Sequence, residues 1–255
     1  MIKIFGLKIA RKYFNFFSFY VLRDKKIRHF EPSIIYSKED LSANSDLIEL
    51  VANSAIVASK NVLNCGNNDL EDSRLFNVFP GEHYRFLNAF VKVTKAKNIV
   101  EIGTYTGMST LALKDKLSDV KVSTFDIIPW NKLNVSSHFI ESDFGDNLIQ
   151  IIGDLSQDDV FNKYKSILDE ADIIFMDAPK DDKFEYAMAY KLNKLNNKEK
   201  KFLILDDIQL INMIDFWRSI RSPKFDATSF GHFSGTGVID ISNGFEFGVY
   251  NKQFK

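Results

Sequence analysis

Four acidic residues lie at or beside the ends of short apolar runs at widely separated points of the chain. They are Glu101 in Val100-Glu101-Ile102-Gly103, Asp126 after Ser123-Thr124-Phe125, Asp154 after Ile151-Ile152-Gly153, and Asp177 after Phe175-Met176. Acids at the carboxyl ends of parallel strands share one crevice, the place where open α/β sheets take their ligands. There Asp126 can accept hydrogen bonds from a ribose diol. Helix capping is the ordinary alternative for any one of these acids, but their common placement argues against it for the set.

The stretch from Val100 to Thr110 reads as a strand, a tight turn through Gly103-Thr104-Tyr105-Thr106-Gly107, and the start of a helix. Two glycines let the backbone approach a ligand closely, and free amides at a helix start favour a carboxylate or phosphate. A dinucleotide site is the rival reading. Its G-x-G-x-x-G fingerprint needs glycine where this chain has Glu101, and an acid there repels a pyrophosphate. An acid suits a ligand ammonium instead. His232, in Phe230-Gly231-His232-Phe233-Ser234-Gly235, is a loop histidine able to act as a base or substrate contact. Trp130 either stacks on a ligand or packs in the core. His83, just before a predicted helix, reads as a surface or capping residue, and Cys65 as a small loop or core residue.

The elements that must position these residues follow from hydrophobic pattern. Apolar runs without strict alternation predict buried parallel strands at Ile99–Ile102, Val122–Phe125, Ile149–Ile152, Ile173–Met176 and Phe202–Leu205. Asn243-Gly244 between 238–242 and 245–250 predicts a closing antiparallel hairpin. Upstream, Ser45 reads as the cap of a helix carrying Leu47, Ile48, Val51, Ala55 and Val62, and a short helix with Leu87, Phe90 and Val91 on one side follows Pro80-Gly81. Between Asp126 and Asp154 the helical pattern is broken by Pro129-Trp130 and by Asp143-Phe144-Gly145-Asp146. That segment reads as a surface loop or as a wall of a substrate pocket. The lysine-rich stretch 191–201 reads as a solvated helix end and loop.

With 33 basic against 34 acidic residues the net charge is -1, so no global field favours nucleic acid. One cysteine excludes an internal disulfide framework and a cysteine-based zinc site. The balance hides an asymmetry. Residues 1–30 carry eight Lys and Arg against Asp24 alone, summing to +7. Their uncharged run Tyr13–Leu22 is too short to span a bilayer, and no small-residue cleavage site follows it. As a helix it is basic and amphipathic, fitting either an anionic membrane surface or packing on protein as a lid or homodimer contact. The expected location is the cytoplasm, with the inner face of a membrane as the site of any such peripheral contact.

From about Pro80 to Tyr250 the sequence resembles class I S-adenosylmethionine-dependent methyltransferases, and within them the catechol and caffeoyl-CoA type small-molecule O-methyltransferases. The run from Ala96 to Ser109 carries the resemblance most closely. It implies an α/β fold with a Rossmann-like doubly wound sheet, mostly parallel, an antiparallel C-terminal hairpin and added N-terminal helices. Residues 1–79 would form the basic segment and helical cap, and residues 80–255 the cofactor domain. It further implies that Glu101 and Gly103 contact the methionine part of the cofactor, Ser109 its carboxylate, Asp126 the ribose, and Asp154 with Leu155 the adenine. Tyr105, Gly107, Ile127 and Asp177 complete the expected cofactor set. Metal-dependent members place a divalent cation, Mg²⁺ in the simplest case, on an Asp after the fourth strand and an Asp-Asn pair after the fifth. Here those positions are Asp177 and Asp206-Asp207, so an Asp replaces the Asn and the added negative charge alters metal affinity. Lys180 matches the family's catalytic lysine, with His232 as a second candidate base.

The function this implies is methyl transfer from S-adenosylmethionine to a hydroxyl of a small molecule or sugar-bearing acceptor, assisted by a divalent cation. The alternatives are a metal-independent methyltransferase acting on nitrogen or another acceptor, and a non-catalytic cofactor-binding partner subunit.

Overall fold

The computed structural model describes residues 44–181 and 183–248, which belong to one contact unit spanning Ile34–Tyr250. The +7 segment at residues 1–30 lies outside the described residues, as do Val249 and Tyr250.

The strands are β1 (Asn98–Ile102), β2 (Lys121–Asp126), β3 (Leu148–Ile152), β4 (Ile173–Met176), β5 (Phe202–Asp206), β6 (Lys224–Asp226) and β7 (Thr236–Asp240). They form one sheet in the order β3-β2-β1-β4-β5-β7-β6. The first five are parallel, and β7 runs antiparallel to both β5 and β6. Each of the five strands predicted from sequence is present to within one residue at either end. The strand order reverses between β1 and β4, so the ligand crevice lies outside their carboxyl ends.

Helices cover both faces. On one side α1 (Ser45–Lys60), α2 (Tyr84–Thr94) and α3 (Met108–Lys114) pack on Ile99, Val122, Phe175, Ile204 and Val238. On the other, α4 (Asp158–Glu170), α5 (Lys183–Leu192) and α6 (Ile211–Ser219) pack on Val100, Phe125, Ile174, Leu203 and Ile239. Successive residues of β1, β4 and β5 therefore enter opposite layers, which is why their runs are continuously apolar rather than alternating. Buried Asn88 of α2 is satisfied by donating to the carbonyls of Ala112 and Asp115 at 2.8 and 3.0 Å. It ties down the C-terminal end of α3.

Several local expectations change. The closing antiparallel pair is present, but its outer member is β6, upstream of β7. Phe245 turns into the core, and Phe247 makes a single bridge to Ile220. Burial of that ring outweighs the turn preference of Asn243-Gly244. Asn44 rather than Ser45 caps α1, accepting from the Leu47 amide at 3.0 Å, and Val62 lies beyond the helix, exposed. Trp130 takes its packing role, stacked on Phe144 and edge-on to Phe139. The segment 127–147 holds two single-turn 3₁₀ helices and no α-helix. Cys65 packs against the core, and burial pushes its thiol up to about 12, which leaves it unreactive.

The lysine-rich stretch is not simply solvated. Lys191 is buried, paired with Asp158 and lying over the Phe161 ring. Lys201 is 1% exposed and donates to the Asp169 carbonyl at 2.9 Å. Burial pulls the Lys201 ammonium down to about 8 from an ordinary 10.5. Between those values the unfolded chain binds more protons than the folded one, so this group makes stability rise with pH. Lys201→Met is expected to raise the melting temperature at about pH 7, by clearly more than at about pH 10.5, where the unfolded lysine has itself lost much of its charge. Paired thermal melts at the two pH values check it.

Candidate active site

After β1 the chain turns through Gly103 and Gly107, both at positive φ, and enters α3. A Cβ at Gly103 would stand 1.8 Å from the carbonyl oxygen of Asp177, so only glycine lets the loops after β1 and β4 meet. Asp126 Oδ2 accepts from the amides of Thr104 and Tyr105 at 2.9 and 3.0 Å, and its Oδ1 from Ile128 at 3.0 Å. A carboxylate has about four lone-pair sites, so Asp126 shapes the loop and keeps one for a ligand.

Between these loops lies a cavity of about 330 Å³. Its wall includes Gly103, Tyr105, Asp126, Ile127, Asp154, Leu155 and Asp177, the majority of the cofactor residues expected from sequence. Glu101, Gly107 and Ser109 are not on that wall. Glu101 is fully buried and accepts from the Thr110 hydroxyl, and its Oε1 has no hydrogen-bond partner. Burial raises its carboxyl to about 7 against the hydroxyls of Ser109, Thr110 and Thr124, which favour the charged form. Gly107 lies under the Phe139 ring. Asp154 also caps its own loop, accepting from the Ser156 amide at 2.8 Å.

Asp177 leads from the cavity into a charged cluster at the ends of β4 and β5. Carboxylate oxygens of Asp177, Asp206 and Asp207 lie within 4.8 Å of one another. Lys180 Nζ is 2.6 Å from Asp177 Oδ1, 2.9 Å from the Ala178 carbonyl and 3.4 Å from Asp207 Oδ2. Burial alone would lower the Lys180 ammonium's pKa, yet Asp177, Asp206 and Asp207 together raise it. Asp181 caps the start of α5 through the Phe184 amide rather than pairing with Lys180. Burial and Asp206 push Asp177 above the usual carboxylate range despite Lys180. Asp207 adopts a left-handed backbone, φ 62°, and accepts from the Ser234 hydroxyl.

Two histidines complete the cluster. His232 Nδ1 is 3.3 Å from Asp206 Oδ1 and 2.7 Å from Ser234 Oγ, and its Nε2 is 3.6 Å from Glu82 Oε2. Burial works against its protonation, but Asp206, Asp207 and Glu82 raise it to about 10. His83 Nδ1 lies 3.3 Å from the same Asp206 oxygen. Against the effect of burial, the two histidines hold Asp206 well below the usual range.

His83 is the residue that sequence reasoning misplaced. It is 3% exposed and makes no capping bond. Backbone bonds explain why it meets His232: the Gly81 amide donates to Gly231, and the Phe233 amide to Gly81. The loop before α2 is thereby joined to the glycine-rich loop before β7. No spacing rule connects such distant positions; the available signal was a polar ring between Pro80-Gly81 and a strongly apolar helix.

This sheet, with a crevice at the β1–β4 reversal walled by Asp126, Asp154 and Asp177 from the ends of β2, β3 and β4, defines the class I S-adenosylmethionine-dependent methyltransferase fold. More narrowly, the family model described as O-methyltransferase matches residues 75–208, and the chain belongs to that family. A Dictyostelium discoideum protein named "Probable caffeoyl-CoA O-methyltransferase 3" is 26% identical over 160 residues, covering 58% of this chain and 58% of that protein. The chain thus spans less than two-thirds of that relative's length. Among solved structures, an O-methyltransferase from Bacillus cereus in complex with SAH is 16% identical, with TM-score 0.43, covering 78% of this chain and 92% of that one. SAH-bound Podospora anserina methyltransferase is 20% identical, with TM-score 0.38, covering 66% and 73%.

Proposed function

We propose that this protein transfers a methyl group from S-adenosylmethionine to a hydroxyl of a small-molecule acceptor. One observation carries the reading: Asp177 belongs both to the wall of the cavity and to the cluster holding Lys180, Asp206 and Asp207. A cofactor held in the cavity would therefore lie beside a group of acids and bases able to handle an acceptor's proton.

The cavity fits the cofactor. Asp126 has one acceptor position left for a ribose hydroxyl, and Leu155 and Ile127 offer apolar walls for a base. The buried, unpartnered oxygen of Glu101 behind the loop suits a nearby ammonium. S-adenosylmethionine supplies the electrophilic methyl, and displacement at that carbon needs an oxygen held in line with it. Supplying that alignment is the task of the Asp177–Asp207 side of the crevice.

The cluster also fits a divalent cation. Three carboxylates converge, and Asp206 Oδ1 is buried without a hydrogen-bond partner. Asp177, Asp206 and Asp207 would hold it, and such an ion supplies Lewis acidity that lowers the pKa of an acceptor hydroxyl. Lys180 is kept charged by its acids, so any neutralisation of Asp177 and Asp207 brings it toward the range in which it accepts a proton. Phe233, 75% exposed and edge-on to His232, gives the crevice mouth an apolar platform. It favours an acceptor with a flat or apolar face carrying adjacent hydroxyls.

A turnover screen over catechol-like and sugar-diol acceptors, before and after EDTA and metal add-back, tests the reading. The expected result is methyl transfer to a diol that falls on chelation and returns with metal. Full turnover in the metal-free enzyme would remove the cation from the reaction, and transfer only to amines would overturn the hydroxyl acceptor.

A further inference from the structure

The histidine side of the cluster is unsatisfied in a specific way. Both ring nitrogens of buried His83 and the Oδ1 of buried Asp206 lack a hydrogen-bond partner. Yet His83 Nδ1 and His232 Nδ1 each stand 3.3 Å from that oxygen. Buried polar atoms left so close together without hydrogen-bond geometry call for a shared partner. A metal with bonds of about 2.0–2.1 Å to imidazole nitrogen and carboxylate oxygen, in tetrahedral geometry, sets its ligand atoms about 3.3 Å apart. Both separations match that edge, and one ligand atom from each of the three residues lies within 4.8 Å of the others.

The opposite corner differs. There the Lys180 ammonium already sits between Asp177 and Asp207, so the all-carboxylate side carries a positive charge of the protein's own. We propose that His83, His232 and Asp206 form a two-histidine, one-carboxylate site for a divalent transition metal of the zinc, cobalt or iron(II) class. The inference rests on the cation reading above and alters it: imidazole nitrogens join Asp206, which disfavours Mg²⁺. The contacts of His232 accommodate this. Ser234 Oγ, 2.7 Å from Nδ1, keeps its bond to Asp207 when Nδ1 turns to a metal. Glu82 Oε2, 3.6 Å from Nε2, stands where a carboxylate orients a ligating imidazole. Three protein ligands leave a fourth position for an acceptor oxygen or water.

The test is titration of the full chain with Co²⁺ alone, followed by its visible ligand-field absorption, with Zn²⁺ and Mg²⁺ as competitors. The expected result is stoichiometric binding with four-coordinate bands, displacement by Zn²⁺ but not by excess Mg²⁺, and loss of affinity by about 100-fold or more in His232→Gln and His83→Gln. Because His83→Gln removes a buried ring, ¹⁵N-histidine spectra of the unmodified chain provide a second readout. Zn²⁺ should shift the His83 and His232 nitrogens and leave His138 in place. Equal competition by Mg²⁺, wild-type binding in His232→Gln, or no Co²⁺ binding would each overturn the site. S-adenosylmethionine binding measured in chelator separates the two readings: cofactor binding without Co²⁺ binding sinks this inference alone, and absence of both sinks the cofactor reading too.

Discussion

Gly103→Ala is expected to abolish S-adenosylmethionine binding, because no rotamer or side-chain shift relieves its clash. The added Cβ stands 1.8 Å from the Asp177 carbonyl oxygen, a backbone atom, and at φ +105° an alanine is strained as well. The loops after β1 and β4 must separate, and both carry walls of the cavity. A displacement of about 1 Å at such a point costs on the order of 100-fold in function, and overpacking costs about 1–3 kcal/mol of stability. Gly145→Ala is the control, since nothing lies within 4 Å of a Cβ there. Calorimetry and thermal melts on both variants check the prediction. Unchanged cofactor affinity in Gly103→Ala would show that the ligand binds elsewhere.

Lys180→Met is expected to lower kcat by about 10²–10⁴-fold, the usual contribution of a positioned acid or base, while cofactor affinity stays within about threefold. Lys180 touches Asp177 and Asp207 but is not on the cavity wall, so its removal acts on the acceptor side. Lys180→Arg keeps the charge and loses the ability to deprotonate near neutrality. A proton-transfer role leaves Lys180→Arg as impaired as Lys180→Met, whereas a purely ionic role is rescued by arginine. Retained turnover in both variants would make Lys180 a structural ion pair and take it out of the proton transfer.

What was legible in the sequence divides along a physical line. The strands β1, β4 and β5 were readable because they are buried on both faces, so burial writes a continuous apolar run into the chain, whereas edge strand β3 shows the same kind of run with Ile149 and Ile152 exposed. The acids of the cavity wall were readable for the same reason: Asp126, Asp154 and Asp177 sit where those runs stop. Glu101 was visible as chemistry, but its place behind the loop depends on hydroxyls of Ser109, Thr110 and Thr124 that only packing brings together. The acceptor side was half readable. Asp206 and Asp207 follow a strand, but His83 meets them through backbone bonds between loops far apart in the chain. The outer partner of β7 was misplaced because a two-residue turn signal is local, whereas the choice of β6 was set by burying Phe245 and Phe247 against the second core layer.

Isothermal titration of S-adenosylmethionine into the full chain, with NAD as competitor and Asp126→Ala beside the unmodified protein, reaches most directly to the claim that this crevice is a methyl-donor site. The expected result is one cofactor per chain, no displacement by NAD, and a loss of more than about 1–3 kcal/mol in Asp126→Ala, which forfeits three backbone anchors as well as a ligand contact. Preferential binding of NAD, or S-adenosylmethionine binding indifferent to Asp126, would contradict it.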